Sequence, residues 1–215
     1  MVSAPKKLAE SKAVSRRRKL RDALIEAAGR TIEKEGLRGL KARELAMKVG
    51  CAVGAIYNVF ADLDDLVFAV NALTLEQLET SLTVASHDGT DAHGGAIRTL
   101  AHLGIAYTDY AAAHTRRWRA LFDHRLPEGR DIPTWYRANL HRLFDYIEQP
   151  LRQLAPSLPT EQRALLARSL FSAVHGIVLI GLEEKLQSIP LAVLRTQVTT
   201  MIEAFARGLA TQRAQ

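Results

Sequence analysis

Cysteine occurs once in the 215 residues, at Cys51, so no disulfide can close within the chain and its fold must rest on packing. Proline and glycine are sparse, 7 and 13 residues, which excludes collagen-like and linker-like chains. No apolar segment of secretory type follows the basic start, and the expected location is the reducing cytoplasm. Long apolar runs are also missing. The longest uncharged one, Ser169–Leu182, is shorter than the roughly 20 residues a membrane-spanning helix needs, and it reads as a core helix. No segment alternates β-branched and polar residues in the manner of a strand, so the expected class is all-α.

What the chain does have is a core-forming composition and an uneven charge. Hydrophobic residues make up 47% and charged residues 24%, with a net charge of +6. Residues 1–60 carry 14 Lys/Arg against 6 Asp/Glu, whereas residues 61–215 carry 15 against 17. All the surplus positive charge is N-terminal. Such asymmetry suggests a module that meets a polyanion, nucleic acid before an anionic membrane, joined to a body with another task.

Helical periodicity gives about nine helices. Residues 1–15 are basic and lack a sustained apolar period, the pattern of a flexible arm. A first helix fits from about Arg16 to Glu35, where Gly36 offers a left-handed stop. Two short helices fit Ala42–Val49 and Val53–Phe60, joined at Gly50-Cys51-Ala52, and Asp62 can cap a fourth. Ser86–Gly95 reads as a loop. The later helices are bounded by Pro127-Glu128-Gly129, by Pro156 and Pro159, and by Pro190. The organisation expected is an arm over 1–15, a small module over 16–62 and a helical body over 63–215.

The informative segment is KARELAMKVGCAVGAIYNVF, residues 41–60. Two closely crossing helices need a small residue in the first, a turn residue free to take positive φ, and an apolar anchor in the second. Ala46, Gly50 and Ile56 meet those needs in order, with Leu45, Cys51 and Val59 able to seal the same core. That leaves Val53, Gly54, Ala55, Tyr57 and Asn58 facing outward, the face that would enter a major groove. A helical hairpin in a bundle core is the alternative from these residues alone, and the N-terminal charge weighs against it.

With Arg43, Ala46, Gly50, Gly54, Tyr57 and Phe60 in place and Leu66 following, the segment resembles the DNA-binding domain of TetR-family transcriptional repressors. The segment around His175-Gly176 and the stretch YTDYAAAHTRRWRALF are similar to the regulatory domain of the branch that carries an HG motif. The resemblance implies a three-helix helix-turn-helix domain followed by a helical ligand-binding and dimerisation domain. It also implies a regulator, most often a ligand-responsive repressor, that binds a palindromic double-stranded DNA operator as a homodimer. Ala52 stands where members commonly place Ser or Thr, Lys41 occupies the usual cap of the preceding helix, Val59 a site that is frequently polar, and Leu63 replaces a common phosphate-contacting Lys. Backbone contacts then fall to the helix N-terminus and the basic run from Arg16 and Arg17 to Lys19, extended by Lys6, Lys7 and Lys12.

Residue chemistry suggests roles on that face. Asn58 can pair bidentately with adenine. Val53 and Ala55 suit a thymine methyl, Gly54 lets backbone approach, Tyr57 can pack its ring and donate to phosphate, and Arg43 suits phosphate. The dimer surface is expected on the last two helices, at Leu165, Ala173, Gly176 and Ile180 on one and Leu194, Val198, Met201 and Phe205 on the other. A largely apolar small-molecule effector would sit among Leu103, Tyr107, Tyr110 and His114, with Trp118, Phe122, Phe144 and His175 adding aromatic wall, although core packing suits each of these as well.

Two other classes compete with this reading. A helical-bundle enzyme would need inward acids, bases or ligands, and the sequence has no Glu-x-x-His pair, no G-x-S-x-G elbow and no phosphate loop; His87, His93, Asp88 and Asp91 fall in the expected loop, where a metal site is a weaker reading than a solvated segment. No cofactor, metal or catalytic residue is expected. A sequence-independent DNA compactor would use the same charge, but it has no need of so long a body.

Overall fold

The computed structural model describes residues 4–87, 95–186 and 188–211, with side chains over 12–87, 95–186 and 188–209. Nine α-helices occur among the described residues, and no strand. They are α1 (Ala4–Glu35), α2 (Ala42–Val49), α3 (Val53–Tyr57), α4 (Leu63–His87), α5 (Gly95–Ala113), α6 (Thr115–Asp123), α7 (Thr134–Leu154), α8 (Thr160–Gly181) and α9 (Leu191–Thr211), with 3-10 turns at Leu37–Gly39 and Glu184–Leu186.

Helix α1 begins at Ala4, well ahead of the start near Arg16 that apolar periodicity suggests. The reason is propensity. Residues 6–19 contain no Gly or Pro and are half Lys and Arg, which favour helix without an apolar stripe. At the other end Gly36 takes φ 71, ψ −175, a positive φ as anticipated but with extended rather than left-handed ψ. Helix α3 is shorter than the Val53–Phe60 expectation and closes in a turn at Asn58. Asp62 does cap α4: its Oδ1 accepts from the Asp65 N–H at 2.9 Å. Helix α4 runs on to His87, into the span expected as loop, and α5 starts at Gly95; His93, Asp88 and Asp91 lie outside the described residues. Helix α8 stops at Gly181, well before Pro190.

The chain divides into two compact units. The first comprises residues 1–74 and 116–131, the second residues 75–115 and 132–215. The division therefore falls inside α4 rather than at residue 62, and a sixteen-residue piece from the middle of the chain joins the N-terminal unit. That unit buries Leu24, Ala28 and Ile32 of α1, Leu45 and Ala46 of α2, Ile56 of α3, and Leu66 and Val70 of α4, with Ala120 of α6 in the same core. The inserted piece is tied in by polar contacts as well. Arg116 donates to the Lys34 carbonyl, Arg117 lies 3.9 Å from Glu33, and the Asn71 Nδ2 donates to the Ala120 carbonyl at 3.2 Å.

In the C-terminal unit α5 and α9 pack most extensively, and α7 and α8 pack on both. The closeness of α5 and α9 depends on Gly104. A Cβ there would stand 2.4 Å from Ile202 Cδ1 and 2.9 Å from Val198 Cγ1. Leu194, Val198, Ile202 and Ala206 are all buried along α9.

Candidate functional site

The residues that form α2 and α3 place the candidate site on the N-terminal unit. Leu45, Ala46 and Ile56 are at most 2% exposed, so the inner faces of the two helices are sealed, as the spacing anticipates. Gly50 makes the turn with φ 73, ψ 39, a left-handed conformation costly for a residue with a Cβ. The Gly50 and Cys51 N–H groups then donate to the Met47 and Ala46 carbonyls at 3.3 and 3.0 Å, closing α2. Cys51 is half-buried in this joint.

Neither short helix has a side-chain cap. Lys41 and Ala52 stand at the two N-cap positions with no side-chain hydrogen bond to the helix backbone. Lys41 instead donates to Glu44 Oε1 at 3.0 Å, and that hydrogen bond, reinforced by the Glu44 charge, holds its ammonium above the ordinary value. With inner positions sealed, the outer ones are presented: Ala52, Val53, Gly54, Tyr57 and Asn58 are exposed, Ala55 is half-buried, and Arg43 is exposed on α2. Gly54 is the most telling of them. A Cβ at this position would meet no protein atom within 4 Å, so nothing inside the protein requires a glycine there. Arg16 and Arg17 are exposed on α1 with Lys12, Arg18 and Lys19; Lys6 and Lys7 lie beyond the described side chains. Met47 on α2 is 75% exposed as well.

The turn that follows α3 carries a cluster the sequence does not suggest. Arg130 donates to Asp62 through Nη1, to Asp64 Oδ2 at 3.2 Å, and to Asp65 Oδ1 through Nη2 at 2.7 Å. Burial alone would raise the Asp62 carboxyl, but the Arg130 hydrogen bond and charge, with backbone donors, outweigh it and hold the group below the ordinary carboxylate value. His124 Nε2 lies 2.9 Å from Asp64 Oδ1 and its ring stands edge-on to Phe68, centroids 5.1 Å apart.

The aromatic residues expected around one pocket do not stay together. In the C-terminal unit the Tyr107 hydroxyl and His175 Nδ1 are 2.7 Å apart. Phe171 stacks on His175 with centroids 5.6 Å apart, and Phe144 meets Phe171 edge-on at 5.5 Å. Burial lowers His175 below its ordinary value, so the imidazole is neutral near pH 7. Phe171, one helical turn before His175, completes this cluster; the i, i+4 spacing between them is the signal in the sequence that could have found it. Leu103 and Tyr110 are buried on the same α5, the Tyr110 hydroxyl donating to Gln77 Oε1 at 3.2 Å, and His114 stacks obliquely on Tyr110.

Trp118 and Phe122, however, belong to the N-terminal unit. Trp118 is completely buried there, and Phe122, 43% exposed, lines a polar cleft of about 530 Å³ with Glu35, Arg38, Asp123 and Arg125. Helical spacing pairs these two with each other, and it carries no information about which unit their helix joins.

The expected dimer face also divides. On α8, Leu165 and Ile180 are 63% and 60% exposed, Ala173 is exposed and Gly176 is half-buried. On α9, Leu194 and Val198 are wholly buried, Leu194 against Gly181 and Val198 against Gly104, so they belong to the core of the chain rather than to an outer face; Met201 and Phe205 are half-buried. The apolar stripe of α9 turns inward because α5 and α8 cover it.

These features have counterparts in known proteins. Residues 100–205 match the family model described as the tetracyclin repressor-like C-terminal domain. Over 172 residues the chain is 30% identical to the uncharacterised HTH-type transcriptional regulator Rv0681 of Mycobacterium tuberculosis, a match that spans 79% of this chain and 73% of that protein. Among solved structures, a protein of unknown function from Rhodococcus sp. RHA1 superposes with a TM-score of 0.69 at 25% identity, covering 89% of this chain and 95% of that one. The TetR-family regulator PfmR of Thermus thermophilus shares the fold, with a TM-score of 0.56 at 15% identity over 87% and 97% of the two chains. Helix-turn-helix geometry at one end, a matching C-terminal domain at the other and a relative of this extent have one common explanation: the chain belongs to the TetR family of transcriptional regulators.

Proposed function

We infer that this regulator is a cytoplasmic, ligand-responsive repressor that binds a palindromic operator as a homodimer. The observation that carries the DNA-reading part is the contrast across α3: Ile56 is fully buried while Val53, Tyr57 and Asn58 stand exposed around Gly54, where a Cβ would meet no protein atom within 4 Å. A five-residue helix presented in this way suits a major groove. In this reading Asn58 reads adenine, Val53 and Ala55 meet base methyls, Tyr57 and Arg43 hold phosphates, and Arg16 and Arg17 follow the flanking backbone. Ala52 and Gly54 let the main chain come close.

Dimerisation is supported by α8. It is the one helix among the described residues that is long and apolar enough to cross a membrane, yet only 28% of its apolar window is buried. A second copy covering Leu165, Ala173, Gly176 and Ile180 would take that surface from water, and it would set two reading heads at successive major grooves. The effector is assigned to the Tyr107, Phe144, Phe171 and His175 cluster, whose aromatic faces and neutral imidazole suit a largely apolar molecule with one polar group. Such an effector acts only by favouring the arrangement that does not fit the operator, and the operator opposes it by the same coupling free energy. No step of this reading uses catalysis, a metal or a cofactor.

The test is selection of duplexes from genomic DNA by the purified full chain, followed by salt titrations on any enriched duplex and a scrambled one. Recovery of a palindrome bound at two protomers per site is expected. Asn58→Ala should then lose preference between the two duplexes. Uniform binding to all DNA would overturn the operator reading.

A further inference from the structure

Three carboxylates, Asp62, Asp64 and Asp65, follow immediately on the helix assigned to a polyanion. Two of them shape the backbone. The Asp65 N–H donates to Asp62 Oδ1 at 2.9 Å and the Ala61 N–H donates to Asp65 Oδ2 at 3.2 Å, a reciprocal cap on α4. The next residue back, Phe60, donates its N–H to the Ile56 carbonyl at 2.9 Å, so the end of α3 and the start of α4 are set together. Asp62 is only four residues beyond Asn58, no more than about 14 Å of extended chain, close to the Debye length of about 10 Å. Carboxylates at that range repel phosphate unless something offsets them.

Arg130 is placed to do so. It comes from the piece 116–131 inserted into the N-terminal unit, 65 residues from Asp65 in sequence, and two residues later the chain enters the C-terminal unit. One guanidinium spans all three acids, using Nη1 for Asp62 and Asp64 and Nη2 for Asp65. A planar fork can hold carboxylates on two edges, which an ammonium cannot. His124 adds a further hydrogen-bonding partner for Asp64.

We propose that Arg130 is a positioning residue for DNA reading: it gathers the three carboxylates into the α4 cap, fixes where α3 ends, and offsets negative charge beside the bound phosphates. The proposal rests on the assignment of α3 as the reading helix. A bystander ion pair would leave DNA preference alone, and a direct phosphate contact would act equally on every sequence.

The experiment measures binding of the full-length wild type, Arg130→Gln, Arg130→Lys, Asp64→Asn and the Arg130→Gln/Asp64→Asn double variant to the enriched duplex and to its scramble. Circular dichroism establishes that each is folded. Arg130→Gln should lose about tenfold on the enriched duplex and clearly less on the scramble, an effect of the size that coupled positions carry. Arg130→Lys keeps the charge without the fork, so it should restore the salt dependence but not the preference. Asp64→Asn, which touches neither cap hydrogen bond, should tighten binding to scrambled DNA, and the Arg130→Gln loss should be smaller in its background. Unchanged preference in both Arg130 variants overturns the proposal, as does an equal loss on both duplexes with no coupling to Asp64. Should Arg130→Gln fail to fold, Arg130→Lys and Asp64→Asn decide the matter by the same criteria. A wild type with no preference overturns the α3 assignment and this proposal with it.

Discussion

Helix α3 of the N-terminal unit and helix α5 of the C-terminal unit each carry a glycine, in the first turn of α3 and in the middle of α5, and the reasons are opposite. At Gly104 the interior demands it, since a Cβ would run into Ile202 and Val198, neither of which has solvent to move into. At Gly54 the interior is silent, because a Cβ would meet open space. The same pairing recurs on α8, where a Cβ at Gly181 would stand 2.5 Å from Leu194 Cδ1 while one at Gly176 would meet nothing within 4 Å. A glycine explained from within belongs to the fold. One that costs helix stability with no internal return points to something outside the chain.

The largest effect expected from breaking this comparison lies in the N-terminal unit, where the inserted piece supplies Trp118. Trp118→Ala removes a fully buried ring and should cost about 3–5 kcal/mol, seen as a lower urea midpoint with loss of all DNA binding. Retention of native stability would mean that the inserted piece is dispensable to the reading module. Next in size is Gly104→Ala, which should destabilise by about 1–3 kcal/mol through overpacking, despite the better helix propensity of alanine. A stabilised Gly104→Ala would show that α5 and α9 have slack.

The same substitution at Gly54 should have the opposite sign. Gly54→Ala should raise stability by about 0.5–1 kcal/mol in thermal melts while weakening operator binding, since the added methyl stands where backbone would approach DNA. An unchanged affinity would remove Gly54 from the interface. Gly176→Ala should likewise raise stability in a monomeric background while weakening self-association, which sedimentation at several protein concentrations would register.

The smallest effect concerns pH. Burial places the folded-state value of His175 below the ordinary 6.5, so the unfolded chain takes up this proton first on acidification. Its contribution to stability is therefore present above pH 6.5 and is lost as the pH falls below it. His175→Gln should flatten that part of the stability profile, and an unaltered slope would place the imidazole in water rather than against Phe171.

Much of the reading module is legible in the chain because its determinants are local. Ala46, Gly50 and Ile56 lie within eleven residues, and the crossing of two short helices over so short a joint leaves few arrangements. Asp62 as a cap is legible on the same grounds. The start of α1 is not, since a helix without an apolar stripe has propensity but no period to announce it. Arg130 has no local signal at all: its partners lie more than sixty residues back. Helical spacing sets Leu103, Tyr107 and Tyr110 on one face of α5 and pairs Trp118 with Phe122, but it shows neither that Tyr107 meets His175 of α8 nor that Trp118 joins the other unit. Spacing says which residues share a helix face and nothing about which helix that face meets.

The sequence by itself determined the all-helical class, the helix-turn-helix and the concentration of positive charge in the first sixty residues, because periodicity, turn chemistry and charge are properties of neighbours along the chain. Tertiary structure alone decided that residues 116–131 join the N-terminal unit, that Leu194 and Val198 turn inward while Leu165 and Ile180 turn outward, and that one arginine holds three distant carboxylates. Each of these depends on which apolar faces find one another in the folded state, a choice made by the whole core at once.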